Sequence, residues 1–172
     1  MLTSRLVSMI EQHAEQLTER IVHQLRTDPR TPSYHHLDAQ EDHDRVFAVV
    51  HNLGKYLDRE SDTAMEWSYR KLGQKRFREG VPLAEVVCAL FLTKQVIRHY
   101  VQTEGWVDTA LDLRQQLELY ALIERFFERA IYFTVLSFEE EARAAGKMAP
   151  PPKPRKRKLT GAWALANSTS GF

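Results

Sequence analysis

The sequence predicts an all-α fold, a five-helix bundle with a long last helix, on three observations. Apolar residues recur at spacings of three, four and seven along residues 2–145, no segment alternates apolar and polar residues with β-branched enrichment, and residues 108–145 contain neither Gly nor Pro. The first is the mark of amphipathic helices, the second argues against a sheet, and the third permits one very long helix.

The first helix is expected from Leu2 to about Leu25, with Leu6, Ile10, Leu17, Ile21 and Leu25 forming its apolar stripe. Pro29 and Pro32 then forbid helical continuation and mark an ordered loop around Thr27–Tyr34. A second helix follows Asp38 and runs to about Leu57, burying Val46, Val49, Val50, Leu53 and Leu57. Asp38 with Glu41 three residues on resembles a capping pair. The third helix spans about Asp62 to Arg78 and directs Trp67 and Leu72, with Met65, Tyr69 and Phe77, toward the core. Gly80 suits the left-handed residue that ends a helix, and Pro82 suits the first turn of the next. That fourth helix is the most apolar, with Leu83, Val86, Val87, Leu90, Phe91, Ile97, Tyr100 and Val101, and is expected at the centre. The fifth runs from Asp108 to about Ala145 and reaches ~55 Å if unbroken. Its aromatic content exceeds what one neighbour covers, so Tyr120, Phe127 and Phe138 are assigned to a homodimer interface. Gly73, inside the third helix at a cost of ~1 kcal/mol relative to Ala, signals close approach by the backbone of the fourth or fifth helix.

Composition bounds the function. The 172 residues suit one domain with a tail, and a single cysteine, Cys88, excludes a disulfide frame or a Cys-rich zinc site. The longest apolar run, Val86–Leu92, falls far short of the ~20 residues that span a bilayer. The N-terminus carries no signal core, and a cytoplasmic location is expected. The formal charge of +1 conceals two parts, because no acidic residue follows Glu141. Six of the 24 basic residues lie within 147–172, which leaves 18 against 23 acidic residues and a body at −5. The division falls near Gly146: residues 1–145 form a helical sensor and dimerisation domain, and 146–172 a flexible tail with a proline-rich spacer.

The chemistry-bearing motifs are few. No Glu has a His three positions later, which excludes the carboxylate di-iron pattern of helical bundles, and the common zinc, nucleophile and phosphate-loop motifs are absent. No catalytic residue, metal site or cofactor is assigned. His35, His36 and His43 lie close to Asp38 and Asp42, but a solvated loop explains them better than a metal site. His99, between Arg98 and Tyr100, suits a haem ligand only if a distal partner exists, and none is identifiable. His51, with Gly54 and Lys55, resembles the phosphorylatable centre of histidine-phosphotransfer bundles with Gly and Lys in reversed order, and a surface histidine is preferred. Cys88 sits in an apolar run and reads as a small buried apolar group. Arg76 and Glu85 flank the Gly80 corner and are placed to pair across it, an exposed pair contributing ~0–1 kcal/mol.

The segment Tyr69-Arg70-Lys71-Leu72-Gly73-Gln74-Lys75-Arg76, continuing through Gly80-Val81-Pro82-Leu83-Ala84-Glu85-Val86 to Leu90, resembles the central signature of the N-terminal domain of RsbRD-type co-antagonists of RsbT. That signature joins a Leu-Gly-x-x-Arg helix end to a Gly-Val-x-Leu-x-Glu-Val helix start. Pro32-Ser33-Tyr34, Tyr100, Phe126 and Phe127 extend the likeness over about residues 5–143. The resemblance implies a bacterial regulatory input domain, all-helical and often dimeric, comparable to the non-haem globin-like sensors of stressosomes. Such modules pass a signal to a C-terminal output domain, typically a STAS domain. The residues after the helical part here are too few for a STAS fold, so the expected output is intermolecular.

The tail is therefore the expected working end. Lys153, Arg155, Lys156, Arg157 and Lys158 precede Leu159, Trp163 and Leu165. Nucleic acid would answer the charge, but no groove-reading motif accompanies it. An anionic membrane would answer it too, although one Trp is a meagre foot. Capture of a protein partner or larger assembly by the terminal peptide, with the proline spacer supplying reach, is preferred. The expected function is a non-enzymatic signalling or adaptor protein that dimerises and docks a partner through this tail. The alternative is a small-ligand or haem-binding sensor whose ligand lies inside the bundle near Trp67, His99 and Tyr100.

Overall fold

A computed structural model of the chain describes residues 4–57 and 62–147. Its elements are α1 (Ser4–Gln12), α2 (Ala14–Thr27), a 3-10 turn (Pro32–His35), α3 (Ala39–His51), α4 (Leu53–Leu57), α5 (Asp62–Arg78), α6 (Leu83–Glu104) and α7 (Ala110–Ala144). The fold is all-α, and no strand occurs among the described residues.

Among the described residues seven helices replace the expected five because the first two are each interrupted, and both breaks share one cause. At the first, His13 Nδ1 lies 2.9 Å from the Met9 carbonyl oxygen. At the second, Asn52 Nδ2 donates to the Ala48 carbonyl at 2.9 Å. A polar side chain thus takes the carbonyl that the helical ladder would use. The apolar stripes continue across the breaks: Leu6, Ile10, Leu17, Ile21 and Leu25 all enter one core, as do Val49, Val50, Leu53 and Leu57.

Local signals set the other boundaries. The Asp38 carboxylate caps α3 by accepting from the N–H groups of Gln40 and Glu41. The loop before it is ordered by polar bonds together with the burial of Tyr34 in the core. Arg26 donates to the carbonyls of Tyr34, His35 and Leu37 at 3.3, 3.1 and 3.0 Å. Thr31 Oγ1 donates to the Leu25 carbonyl at 2.9 Å, and the Arg30 guanidinium beside Asp28 holds that carboxyl down at about 2. At the other end of α5, Gly80 adopts φ +75°. Its N–H donates to Phe77 O and that of Val81 to Arg76 O, both at 3.0 Å, the paired bonds of a Schellman stop. Pro82 occupies the N-cap of α6.

The core forms where α5 and α7 make the most extensive helix contact and α6 packs between α2 and α7. Gly73 permits the α5–α7 approach: a Cβ there would stand 2.2 Å from the Thr134 carbonyl oxygen and 2.2 Å from Ser137 Oγ. The expected backbone approach is therefore made, by the last helix. A reciprocal capping box between Thr109 and Asp112 starts α7, whose 35 residues form one helix of ~52 Å.

Two core assignments fail. Trp67 is 61% exposed, with Lys71 Nζ lying 3.9 Å above its ring, and Phe91 is 43% exposed. On α5 the buried side belongs to Met65, Tyr69, Leu72 and Arg76, a helical stripe that leaves Trp67 on the outside.

Gly73→Ala should destabilise on the order of 3 kcal/mol, because the added methyl meets α7 backbone. Gly80→Ala, with open space around the site but positive φ, should cost about 1 kcal/mol. Urea denaturation of the two variants checks the order.

Candidate functional site

The residues that carry the family resemblance meet at one corner of the fold. Leu72, Gly73 and Arg76 share a side of α5 through the helical repeat. Leu72 enters the core and Gly73 admits α7, and Arg76 turns its guanidinium into the gap between α5, α3 and the 3-10 turn. Arg76 is 1% exposed. It donates through Nη2 to Asp42 Oδ1 and through Nη1 to Glu79 Oε2 at 2.6 Å, and its guanidinium lies 4.9 Å from the centre of the Tyr34 ring. Asp42 is equally enclosed at 4% exposure, and burial pushes the Tyr34 phenol pKa upward.

Around this buried pair the charges close into a ring of alternating sign. Asp42 also faces Arg45 at 3.7 Å, Arg45 binds Glu41 at 3.0 Å, Glu41 binds Lys75, Lys75 faces Glu79 at 3.5 Å, and Glu79 returns to Arg76. Three cations and three carboxylates thus satisfy one another with no net charge. The hydrogen bond from Lys75 holds the Glu41 carboxyl below its usual range. Asp42 Oδ2 and Arg76 Nε remain without a hydrogen-bond partner among the described residues.

The expected exposed pair between Arg76 and Glu85 is replaced by two separate bonds. Arg76 is buried with Asp42, while Glu85 Oε2 accepts the Ser33 N–H at 2.8 Å and ties the 3-10 turn to α6. From the sequence Asp42 is placed only beside His43, and its burial against Arg76 is the feature that the structure adds. Its signal was present, because Asp42 lies four and seven positions before Val46 and Val49 and so falls on the buried stripe of α3.

The other candidates do not converge. Trp67 and His99 are exposed while Tyr100 is buried, so the three line no common chamber. The crevice nearest the bundle centre, between Val46, Val49, Tyr69, Leu72, Leu90 and Phe127, holds about 50 Å³. Small-molecule sites occupy ~300–1,000 Å³; His99 lines a separate, open groove of about 460 Å³ together with Arg20, His23 and Val96. His43 Nε2 bonds Glu15 at 3.0 Å, and no group of three or more potential metal ligands forms among the described residues. His51 is exposed and stacked on Phe47 at 5.1 Å. Gly54 gives clearance to Val7 of α1 rather than to a phosphoryl group, with its N–H donating to Glu11 at 2.9 Å. Cys88 is half-buried beside a surface groove, against the expectation of an enclosed thiol.

Of the residues assigned to self-association, Phe127 is 1% exposed and packs edge-on against Phe126 within one chain. Tyr120 and Phe138 are half-buried, under Arg98 and against Phe77. The uncovered apolar side chains of α7 and its approach are instead Trp106, Val107, Leu111, Leu113, Leu117 and Tyr132. The tail residues from Lys153 to Leu165 lie outside the described residues.

A family model described as RsbT co-antagonist protein rsbRD N-terminal domain matches residues 11–149. No curated protein and no solved structure matches the chain.

Arg76→Met should cost ~3–5 kcal/mol, since it strands the buried Asp42 carboxylate, and Arg76→Met/Asp42→Leu should recover most of that loss. Chemical denaturation of the single and double variants reads this. The lowered pKa of Glu41 contributes stability above its ordinary value near ~4.3, which is lost as pH falls through the folded value. Glu41→Gln should accordingly show a smaller fall in Tm than the parent between about pH 5 and about pH 3.

Proposed function

The chain belongs to the family of RsbT co-antagonist rsbRD N-terminal domains, and from that membership we propose that it is a non-enzymatic regulatory input or adaptor module. The family is one of stressosome-related signalling domains. In this reading the helical body self-associates, and the segment with Lys153, Arg155, Lys156, Arg157, Lys158, Leu159, Trp163 and Leu165 captures a protein partner. The match over residues 11–149 carries the regulatory part of the reading.

Physical chemistry supports the division of labour. The polar side chains at the α5–α6 corner are bonded to one another and to the backbone, so the corner serves as scaffold. Six basic residues in 147–172 against a body at −5 separate the charge of the tail from that of the bundle. A peptide with Trp163 and Leu165 offers an apolar anchor, while the preceding basic cluster accelerates encounter with an acidic partner. No helix among the described residues is long and apolar enough to cross a membrane.

Removing residues 148–172 should leave Tm and the oligomeric mass by light scattering unchanged while abolishing capture of the partner in a pull-down. Trp163→Ala/Leu165→Ala, which keeps every basic residue, should reduce capture at least tenfold, the scale of an anchor residue worth ~2 kcal/mol. Capture that survives truncation would place the docking surface on the bundle and overturn the role of the tail.

A further inference from the structure

The outward side of α7 carries a pattern that nothing in the fold uses. Arg114, Leu117, Glu118, Ala121, Arg125 and Glu128 are all exposed. The four charged residues among them form no ion pair among the described residues, in contrast to Glu124 on the flank, which binds both Lys94 and Arg98 at 2.7 Å. Ala121 is central. Arg114 lies seven residues before it and Glu128 seven after, two turns or about 10 Å along the axis in each direction, and a seven-residue step returns to within ~20° of the same side.

This spacing is self-complementary under one operation. A two-fold axis through Ala121, perpendicular to α7, lays a second α7 antiparallel on the first. Arg114 of each chain then faces Glu128 of the other, and Glu118 falls one residue from register with Arg125. Arg114 and Glu128 thus meet in register, and Glu118 and Arg125 meet one residue off it. A parallel pairing would instead set Arg114 on Arg114 and Glu128 on Glu128. At the crossing, the Ala121 methyl lets the axes approach to ~8 Å, the close end of the helix-packing range. Leu117, 58% exposed, and Tyr132, 60% exposed, flank the crossing and supply apolar area. Opposite charges placed symmetrically about one small residue are what an isologous interface requires and what an unrelated partner does not.

We propose that the outer side of α7 is the interface for a second copy of this chain, packed antiparallel about Ala121 with Arg114–Glu128 contacts between the copies. The inference rests on the self-association reading and specifies its surface. It moves the interface from Phe127, which is interior, to the opposite side of the same helix.

The test uses the full chain in sedimentation equilibrium at low salt. The parent should be a dimer. Arg114→Glu and Glu128→Arg alone should each raise the dimer dissociation constant roughly tenfold, because two attractive contacts become two repulsive ones. Arg114→Glu/Glu128→Arg should return to within about twofold of the parent, as the swapped charges again face their opposites. Ala121→Trp should block the crossing and leave a monomer with unchanged helicity by circular dichroism. A dimer indifferent to the single reversals, or a double variant weakened by the sum of both, overturns this interface and leaves self-association standing. A parent that is monomeric at every concentration overturns both.

Discussion

Arg76 is the residue on which the corner depends. A guanidinium removed from water is stable only where carboxylates and ring faces take the place of its hydration. Asp42 comes from α3, Tyr34 from the 3-10 turn and Glu79 from the position that follows α5, so burying Arg76 ties α5 to both earlier elements. Relative to an apolar pair of the same volume, the ion pair adds little net stability. Its effect is selective: an arrangement that slides α3 along α5 by one turn leaves two buried charges apart. The surrounding ring of Glu41, Arg45 and Lys75 extends that requirement to the surface, where solvent weakens each member.

The residues through which the chain resembles its family are thus occupied with holding elements in place. Gly73 seats α7, Gly80 ends α5, Val81 closes that stop, and Glu85 anchors the turn before α3 to the start of α6. A segment so committed to packing leaves few of its side chains free to meet a signal or a partner. In the proposed function, specificity is assigned to the outside of α7 and to the segment that follows it.

What was readable in the sequence follows the range of the interactions involved. The Gly80 stop, the Asp38 cap and the buried stripes depend on neighbours within a few positions, and residue type and period reveal them. The breaks at His13 and Asn52 are local too, but a side chain that competes for a carbonyl leaves the apolar period unchanged, so two interrupted helices read as continuous ones. The Arg76–Asp42 pair spans 34 positions: the period of α3 puts Asp42 on the buried stripe, but nothing local names Arg76 as its partner. Phe127 and Trp67 exchanged their expected roles for a related reason. Hydrophobicity counts how much apolar surface a helix carries, whereas the direction of its neighbours decides which part is covered.

The notch at Gly73 and the outer charges of α7 belong to one continuous helix, with Thr134 and Ser137 at the notch more than a turn beyond Ala121 and Glu128. Each residue in such a rod advances its azimuth by ~100°. A single-residue insertion between Glu128 and Thr134 would leave the notch engaged and swing everything N-terminal to it a quarter-circle or more, carrying Arg114 and Ala121 from solvent toward α5 or α6. Relatives that vary the length of this rod must therefore do so in steps of about seven, the increment that restores phase, or shift the change to the loop before Thr109.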